Sequence, residues 1–296
     1  MSDGAPKVRQ RTVAKARTLL EALPFLKEHR GTILVIKVGG AAMELAPLSR
    51  AFAEDVSLLQ QVGINPVLVH GGGPQVTAAA ERLGLVATFL DGMRVTDRDT
   101  LDVATMVLAG KLNSEIVASL GTGDVRAVGL SGVDGGLALA MRQAAPDLGF
   151  VGEVVRVEPA VVTTLLERGF VPVVASIAAD EDGHLLNVNA DVMAADLAVG
   201  LGVEKLVYVS DVPGVIGAGG DLLSELGLQE ALDLLALDGV VTGGMIPKLE
   251  SAIRALKAGV RRVHLLDGRV EHALVLELFT PEGVGTMVAL DAEGAS

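Results

Sequence analysis

Short apolar runs alternate with amphipathic segments along most of the chain. The apolar runs are continuous rather than alternating, which is typical of strands that are buried on both faces of a sheet. They predict strands at Thr32–Val38, Asn65–His70, Arg126–Leu130, Val151–Val157, Phe170–Ile177, Lys205–Val209 and Arg262–Leu266. Apolar residues at helical spacing predict helices over residues 12–27, over 46–62, from Pro74 onward, and over Val192–Leu201 and Ile246–Ala258. Strands that alternate with helices in this way predict an α/β fold with a mainly parallel sheet.

The N-terminal segment is the least constrained part of the pattern. Residues 1–10 are expected to be a disordered tail, and Pro24 is expected to bend the helix that follows it. That helix either packs on its own domain or serves as an oligomerisation arm, and the pattern leaves both possibilities open. Further along, Asp180–Gly183 predicts a hairpin tip and Gly217–Gly220 an exposed loop.

Composition narrows the class of protein. Half of the 296 residues are apolar, with no Trp, one Tyr and six Phe, so the core is expected to be aliphatic. The net charge of -13 and the scarcity of aromatic residues disfavour nucleic-acid binding, which needs positive charge and stacking surfaces. Because cysteine is absent, disulfides, thiolate nucleophiles and Cys-ligated zinc are excluded.

No secretion or membrane signal stands out. The polar residues after Lys7, Arg9 and Arg11 do not form the apolar stretch of a signal peptide. The longest uncharged apolar runs are too short, or too often interrupted by glycine, to span a bilayer. We therefore expect a cytoplasmic protein that contacts no membrane.

Glycine clusters mark the candidate ligand site. Gly39-Gly40, Gly71 to Gly73 and Gly243-Gly244 are each expected to follow a buried strand. Glycine there lets backbone N–H groups approach a ligand closely, and N–H groups at a helix start favour anions. One cluster alone is more often only a tight turn, but three of them together favour an anion site beyond the carboxyl ends of the strands.

Two lysines stand where a lysine is unfavourable without a partner. Lys37 ends an otherwise apolar strand, so its ammonium has to reach solvent, a crevice or an acidic partner. Lys248 lies one turn into a helix, where the helix dipole disfavours a cation. A surface lysine is the plainer explanation for either residue alone, but a bound anion would explain both.

Polar residues near these lysines add further candidates. The segment Asn187-Val188-Asn189-Ala190-Asp191 precedes a helix, and its three polar side chains exceed what one N-cap needs. Arg94 is either a bidentate clamp for a carboxylate or one half of a surface ion pair. Asp211 either faces a nucleotide or caps a turn, and His70, beside the glycine triplet, is interpreted as structural.

The common nucleotide-binding patterns are missing. Gly110-Lys111 has Thr105 five residues before it and Leu112 after it, so it is not a phosphate-binding loop of the Walker type. Gly217–Gly220 is followed by Leu222, where a dinucleotide-binding pattern would need its last glycine. A dehydrogenase is therefore disfavoured.

Six motifs together resemble those of the amino-acid kinase family, in order and with no missing block between about residues 19 and 288. The two motifs NVNAD and GMIPK narrow the resemblance to the branch that phosphorylates N-acetyl-L-glutamate with ATP. The motifs are KVGG at 37–40, HGGG at 70–73, GMRVTD at 92–97, NVNAD at 187–191, SDVPG at 210–214 and GGMIPK at 243–248.

The resemblance implies a three-layer αβα sandwich with a mainly parallel central sheet and two lobes. Residues 1–30 would form a tail and a helix for oligomerisation and regulation. Residues 31–180 would form the N-lobe, which binds the acidic substrate, and residues 181–296 the C-lobe, which binds ATP. Mg2+ would be held mainly by phosphates and water, so no protein ligand is expected for it.

Individual roles follow from the same resemblance. Lys37 and Lys248 would neutralise the transferring phosphoryl group, and Asp191 would hold both lysines in place. The remaining assignments are substrate binding by Gly72, Gly73, Arg94 and Asn187, phosphoryl contact by Gly40, and nucleotide binding by Ser210, Asp211, Gly214, Gly244 and Met245.

Arginine-inhibited members of the family carry two further features that this sequence resembles. One is an N-terminal helix that joins dimers into a hexamer, a trimer of dimers, and the other is a C-terminal segment like residues 272–287 here. Feedback inhibition by arginine is therefore expected. Phe25 stands where such relatives often have Tyr, and Val133 where they often have Lys.

Three rival functions remain open. A related kinase would act on a carrier-linked aminoadipate, although an acidic carrier would be repelled by a protein of charge -13. A non-catalytic effector-binding protein on the same fold would be expected to have lost one of the two lysines. A nucleotide-substrate kinase of the family fits Arg94 and the NVNAD segment less well than an amino-acid kinase does.

Overall fold

In the computed structural model, strands occur throughout the chain from Ile33 to Ala289. The structure describes residues 13, 16–17, 19–39, 50–90, 92–237, 239–281 and 283–290. The strands are β1 Ile33–Val38, β2 Asn65–His70, β3 Thr88–Leu90, β4 Met93–Val95, β5 Ala127–Ser131, β6 Ala138–Arg142, β7 Val151–Val157, β8 Val171–Ala175, β9 Ile177–Ala179, β10 Leu185–Val188, β11 Lys205–Ser210, β12 Glu225–Gly227, β13 Arg262–Asp267 and β14 Thr286–Ala289.

Helices connect most of these strands. The α-helices are Leu23–His29, Arg50–Gln61, Gly73–Arg82, Arg98–Thr105, Asn113–Gly121, Ala160–Glu167, Ala190–Gly200, Leu228–Ala236, Met245–Lys257 and Ala273–Phe279. A π-helical segment, Met106–Leu112, joins two of them into one continuous helical run.

Among the described residues, eight strands form one central sheet in the order β12-β14-β13-β11-β1-β2-β8-β5. The strands from β13 to β5 run parallel, and β14 is antiparallel to β13 at one side. Strands β10, β7, β6 and β9 close into a small barrel, and β3 pairs with β4 in a hairpin. The predicted α/β fold with a mainly parallel sheet is confirmed.

Apolar layers cover both faces of the central sheet. In β1, Leu34, Ile36 and Val38 belong to one buried cluster, together with the helices Arg50–Gln61 and Ala273–Phe279. Val35 belongs to the opposite cluster, with side chains from the helices Ala190–Gly200 and Met245–Lys257. Side chains alternate along a strand, so Lys37 shares the face of Val35 and points towards those two helices. The three-layer arrangement thus decides which elements Lys37 meets.

Parallel pairing brings three loops to one edge of the sheet. Val38 is in register with His70 of β2 and with Val209 of β11. Because the three strands run the same way, the residues that follow them leave the sheet side by side. Gly39, Gly71 and Asp211 therefore begin neighbouring loops at the carboxyl edge.

Most predicted elements are found within one to four residues of their expected bounds, and the exceptions have local causes. The described residues between Val13 and Glu21 are helical, and a break at Ala22 precedes the helix Leu23–His29. Pro24 therefore lies in the first turn of a second helix instead of bending a single one. The predicted strand Phe170–Ile177 is wrong in extent, because Ser176 separates β8 from β9 where the chain leaves the central sheet for the small barrel. Residues 1–10 and 46–49 lie outside the described residues.

The helical run Arg98–Gly121 is long and apolar enough to cross a membrane, if only its length and its mean hydropathy of 1.2 are considered. Half of its apolar window is buried inside the molecule, as in the core helix of a protein that does not enter a membrane. The run also carries the exposed ion pair of Lys111 with Glu115. It thus gives little support to a membrane span.

A buried carboxylate connects the last helix of the chain to a helix near the N-terminus. Asp55, in the helix Arg50–Gln61, is 2% exposed and accepts a hydrogen bond at 2.7 Å from Nδ1 of His272. The backbone N–H groups of Leu274 and Val275 also donate to it. Asp55 thus caps the helix Ala273–Phe279 from a distant part of the sequence.

We expect Asp55→Ala to lower the free energy of unfolding by about 2 kcal/mol, because it leaves buried N–H groups without an acceptor. Chemical denaturation measures the change. The neighbouring Glu54→Ala is the matched control: Glu54 pairs with Arg50 at the surface, and its loss should cost less than about 0.5 kcal/mol. Equal losses in the two variants would contradict the capping role.

Candidate active site

Two lysines converge on one buried carboxylate. Nζ of Lys37 lies 2.7 Å from Oδ1 of Asp191, and Nζ of Lys248 lies 3.7 Å from Oδ2. Lys37 and Asp191 are both 7% exposed. The three residues that the sequence singled out as a possible phosphoryl-transfer centre are therefore brought together, Lys37 from the sheet and Lys248 from the last long helix of the C-terminal half.

Asp191 is available to the lysines because another residue caps its helix. The side-chain oxygen of Asn189 accepts from the backbone N–H of Asp191 at 2.8 Å and from that of Val192 at 3.5 Å. Asn189 is thus the N-cap of the helix Ala190–Gly200. The surplus of polar groups in the segment 187–191 is explained by this division of roles between the cap and the carboxylate.

The carboxylate of Asp191 is held ionised. Burial on its own would raise its pKa, but the charges of Lys37 and Lys248 outweigh burial and hold the pKa below its ordinary value. The backbone carbonyl of Asp191 accepts hydrogen bonds from Tyr208 Oη at 3.1 Å and from Ser251 Oγ at 3.0 Å. These contacts tie the start of this helix to β11 and to the helix that carries Lys248.

The position of Lys37 depends on a residue without a side chain. A Cβ on Gly39 would overlap with Nζ of Lys37, so the ammonium can fold back over the chain only if residue 39 is glycine. The N–H of Gly39 donates to the carbonyl of Val209 at 3.1 Å, which keeps this turn on the neighbouring strand. Gly40, the predicted phosphoryl contact, lies outside the described residues.

A cavity of about 490 Å³ opens beside the lysine–aspartate cluster. Lys37, Gly72, Gly73, Arg94 and Asn187 line it, so the residues that the sequence predicts for the acidic substrate share one cavity. A space of this size suits a small metabolite. The walls come from the glycine triplet, the hairpin β3-β4, β7 and the segment before the helix Ala190–Gly200.

The glycine triplet lines this cavity at the start of a helix. Gly72 precedes the helix Gly73–Arg82 with φ of 158°, and no side chain caps that helix. A Cβ on Gly72 would clash with Leu108 and Leu112, at 2.8 and 2.5 Å from their Cδ2 atoms. The uncapped first turn leaves N–H groups free to bind an anion.

Arg94, in β4, also lines the cavity. Its Nη2 donates to the carbonyl of Gly73 at 2.9 Å and to Oγ1 of Thr77 at 2.6 Å, and its guanidinium stacks 4.8 Å from the ring centroid of Phe89. Its Nη1 is buried and has no protein partner. A fixed guanidinium with an unused donor is what a carboxylate clamp requires.

Asn187, in β10, lines the cavity as well. Its side-chain Nδ2 donates to Oγ1 of Thr96 at 3.2 Å, and its backbone N–H donates to the carbonyl of Phe150 at 2.9 Å. These contacts fix the amide beside the cavity at the end of the small barrel.

The residues predicted to bind nucleotide lie outside this cavity. Ser210 ends β11, where its carbonyl accepts from the N–H of Gly268 at 2.7 Å, and the exposed Asp211 follows it. Gly214, with φ of 138°, leaves no room for a side chain against Thr286. Thr286 Oγ1 accepts from the N–H of Val215 at 2.8 Å and so secures this loop.

Gly244 and Met245 belong to the start of the helix Met245–Lys257. The carbonyl of Gly244 lies 3.5 Å from Nζ of Lys248, so this helix start adjoins the lysine cluster. The expectation that Gly243-Gly244 follows a buried strand is wrong. The pair follows the helix Leu228–Ala236 and a turn, because β12 lies further upstream at the edge of the sheet.

Sequence reasoning missed Arg254, which lines the same cavity. Its Nη2 lies 2.8 and 3.1 Å from the two oxygens of Asp196. Burial raises the pKa of Asp196 to about 6, in spite of this arginine. Arg254 lies six residues beyond Lys248 on one helix, and Asp196 lies five residues beyond Asp191 on the other. Neither spacing is a local signal that could have pointed to Arg254.

His70 is buried beside the glycine triplet, in keeping with the structural role that the sequence suggested. Its ring contacts the carbonyl of Gly71 at 2.9 Å and the side-chain amide of Asn113 at 3.0 Å. Burial lowers its pKa from 6.5 to about 4, with a further contribution from Lys37. The ring is therefore neutral at physiological pH.

Comparison with known proteins shows the family of this chain. The sequence model of the amino acid kinase family matches residues 32–267, which include the cluster of Lys37, Asp191 and Lys248. The chain belongs to the amino acid kinase family.

Curated relatives of this family share almost the whole chain. Acetylglutamate kinase from Sphingopyxis alaskensis is 48% identical over 288 residues, which cover 93% of this chain and 95% of that protein. Acetylglutamate kinase from Aquifex aeolicus is 45% identical, with 94% and 99% of the two chains covered. At this identity and coverage, the protein is a kinase of the family.

Solved structures agree on the fold. N-acetylglutamate synthase from Neisseria gonorrhoeae, complexed with coenzyme A and N-acetyl-glutamate, superposes with a TM-score of 0.83 at 30% identity. The match covers 94% of this chain and 64% of the synthase chain. A second structure of that synthase, complexed with coenzyme A and L-arginine, gives a TM-score of 0.81 at 29% identity.

The buried His70 predicts a specific acid sensitivity of stability. The unfolded chain takes up a proton near pH 6.5, whereas the folded state resists protonation down to about pH 4. The contribution of neutral His70 to the free energy of unfolding is therefore complete above about pH 6.5. It is lost as the pH falls towards 4, and the loss is about 3 kcal/mol in total. We expect the unfolding free energy of wild type relative to His70→Asn to fall over this range. A relative stability that stays flat between pH 6.5 and 4 would contradict the assignment.

Proposed function

We propose that the protein uses ATP to phosphorylate the side-chain carboxylate of N-acetyl-L-glutamate, which gives N-acetyl-L-glutamyl 5-phosphate, a step of arginine biosynthesis. The observation that carries the proposal is the cluster in which Asp191 holds Lys37 and Lys248 beside an anion-binding cavity. The acetylglutamate kinases that cover more than nine tenths of this chain support the choice of substrate.

The cavity suits a dicarboxylate whose amino group is acylated. Arg94 offers its free Nη1 to one carboxylate, and the amide of Asn187 is placed to bond to the acetylated nitrogen or the carboxylate. The other carboxylate would lie against the N–H groups of Gly72 and Gly73. An acetyl group removes the positive charge of the amine, which would otherwise face Lys37 and Arg254.

The substrate carboxylate needs no general base. Its pKa is about 4, so it is already ionised at neutral pH. One of its oxygens forms a bond to the γ-phosphorus of ATP as the bond from that phosphorus to the β-phosphate oxygen breaks, and ADP leaves. Lys37 and Lys248 neutralise the negative charge that spreads over the phosphoryl oxygens, one on each side.

The nucleotide would lie on the C-terminal side of the cluster. Ser210, Asp211 and Gly214 would line one wall of the nucleotide site. Gly244 and Met245, at the start of a helix, would line the other wall. Both oxygens of Asp191 face lysines, so this carboxylate is a poor metal ligand. Mg2+ would be held by phosphate oxygens and water and would supply further charge neutralisation.

The substrate assignment is tested by trapping the acyl phosphate as a hydroxamate. With ATP and Mg2+, we expect product from N-acetyl-L-glutamate and little from L-glutamate, whose free ammonium would meet the cationic side of the cavity. N-acetyl-L-aminoadipate, which is one methylene longer, tests the rival substrate class. Product from another acid but none from N-acetyl-L-glutamate would overturn the assignment.

The catalytic role of Lys248 is tested against a control lysine on the same helix. Lys248→Ala should lower kcat about 1000-fold, because one of the two charges on the transferring group is lost. Lys257→Ala removes an exposed lysine from the last turn of the same helix and should leave kcat within about twofold. Undiminished turnover in Lys248→Ala would sink the assignment.

We propose further that arginine inhibits the enzyme from a second cavity. This cavity, of about 220 Å³, lies between the N-terminal helix and the C-terminal segment and is lined by Glu28, His264, Glu277 and other residues. The pKa of Glu277 is held below its ordinary value, because hydrogen bonds from His264 and from the N–H groups of Val284 and Gly285 outweigh its burial. The lining carries Glu28, Glu225 and Glu277 against Lys205 and Arg262, and a surplus of carboxylates favours a cationic amino acid.

The N-terminal helix also supports assembly into a homo-oligomer, which we propose to be a hexamer built as a trimer of dimers. Among its described residues, Val13, Leu19 and Leu20 are 60%, 75% and 68% exposed. Apolar side chains at this level of exposure are typical of a surface that another copy covers.

Arginine should lower the kinase activity, and lysine at the same concentration should not, because its ammonium lacks the planar fork that pairs with carboxylates. Initial rates at increasing arginine, at substrate levels near KM, measure the effect. Rates that stay constant in excess arginine would dispose of the regulatory proposal and leave the catalytic one intact.

A further inference from the structure

The glycine triplet has no side chains, so neighbouring groups have to fix the direction of its peptide units. The residue directly before it, His70, is 1% exposed and ends β2. Its Nδ1 lies 2.9 Å from the carbonyl oxygen of Gly71, and its Nε2 lies 3.0 Å from Nδ2 of Asn113. A histidine with both nitrogens engaged in this way is held in one orientation.

The partners of Asn113 determine which nitrogen of His70 carries the proton. Nδ2 of Asn113 also lies 2.9 Å from the carbonyl of Val173 and 3.3 Å from that of Leu130. Carbonyl oxygens only accept, so this atom is the amide NH2 and donates to Nε2 of His70. The ring proton is therefore on Nδ1, and it is donated to the carbonyl of Gly71.

Asn113 is itself firmly placed. It is 4% exposed, and its amide bridges the neighbouring strands β2, β8 and β5. A Cβ on Gly129 would overlap with Oδ1 of Asn113, so β5 leaves a space for the amide. The π-helical segment Met106–Leu112 ends just before Asn113 and places Leu108 and Leu112 against Gly72. π-Helical turns often mark functional sites, because they shift side chains out of the α-helical register.

We propose that His70 and Asn113 are a positioning pair for phosphoryl transfer. Asn113 fixes the imidazole, and Nδ1–H of the imidazole holds the carbonyl of Gly71, so that the peptide N–H groups of Gly72 and Gly73 face the cavity. The inference rests on the proposed kinase reaction, in which these N–H groups contact the attacked carboxylate and the phosphoryl group. A displacement of about 1 Å in such a group costs about 100-fold in rate.

Two substitutions of His70 distinguish its hydrogen bond to Gly71 from its hydrogen bond to Asn113. In His70→Asn, the side-chain amide can occupy the place of Nδ1 and still donate to Gly71. In His70→Gln, the amide oxygen can occupy the place of Nε2 and accept from Asn113, but the donor to Gly71 is lost. We expect His70→Gln to lower kcat about 100-fold and His70→Asn to stay within about tenfold of wild type.

The KM values distinguish positioning from general damage to the core. Loss of orientation should raise KM for the acid and leave KM for ATP within about twofold, since the nucleotide loops lie across the cluster. A purely structural histidine would lower the folded fraction in both variants alike, and His70→Asn would suffer more because it leaves the larger void. Equal losses, or losses that follow the folded fraction measured by circular dichroism, would overturn the proposal. The exposed His184→Asn is the matched control and should behave as wild type.

A second measurement needs no variant. Nitrogen-15 NMR of the histidine rings in the wild-type protein should show His70 protonated on Nδ1 and unprotonated on Nε2 at neutral pH. Protonation on Nε2 would overturn the proposal. If the wild type forms hydroxamate from N-acetyl-L-glutamate and His70→Gln does so equally well, only this inference fails. If the wild type forms none, the proposed function fails first.

Discussion

A buried carboxylate between two lysine ammonium groups is the constraint on which the rest of the site depends. Removing a charge from water is costly, so Asp191 is tolerable at 7% exposure only with Lys37 and Lys248 beside it. Each lysine is in turn unfavourable without the carboxylate, one at the end of a buried strand and one near a helix start. The cluster therefore carries two positive charges and one negative charge at the carboxyl edge of the sheet. Its net positive charge faces the place where an anion would react.

The architecture explains why these three residues meet. Lys37 lies on the sheet face that the helices Ala190–Gly200 and Met245–Lys257 cover, and those two helices carry Asp191 and Lys248. The helices are joined again by Ser251 and by the pair of Arg254 with Asp196, so their relative position is set by several polar contacts. Both helices, β1 and β11 therefore hold the cluster together, and the cavity lined by Arg94 and Asn187 lies beside it.

The sequence predicts the strands of the central sheet, because continuous apolar runs are a local signal. Unfavourably placed lysines likewise single out Lys37 and Lys248, whereas the role of Asp191 follows only from the family resemblance. The sequence does not predict the extent of β8, since the change from the central sheet to the small barrel at Ser176 depends on pairing with distant strands. Nor does it reveal Arg254, whose importance depends on a cavity wall that only the fold creates. The segment 187–191 does not show by itself which of its polar residues is the N-cap, and the contacts of Asn189 with the backbone and of Asp191 with the lysines decide it. The pairing of His70 with Asn113 spans 43 residues and has no local signature.

If Asp191 and the lysines act as one unit in phosphoryl transfer, a double-mutant cycle on the single-turnover rate of acyl phosphate formation will show it. The cycle compares Asp191→Asn, Lys248→Ala and the double variant with wild type. If Asp191 works by holding the lysines, the double variant should be within about tenfold of the slower single variant. Rate losses that multiply in full, so that each substitution costs the same with or without the other, would contradict the account.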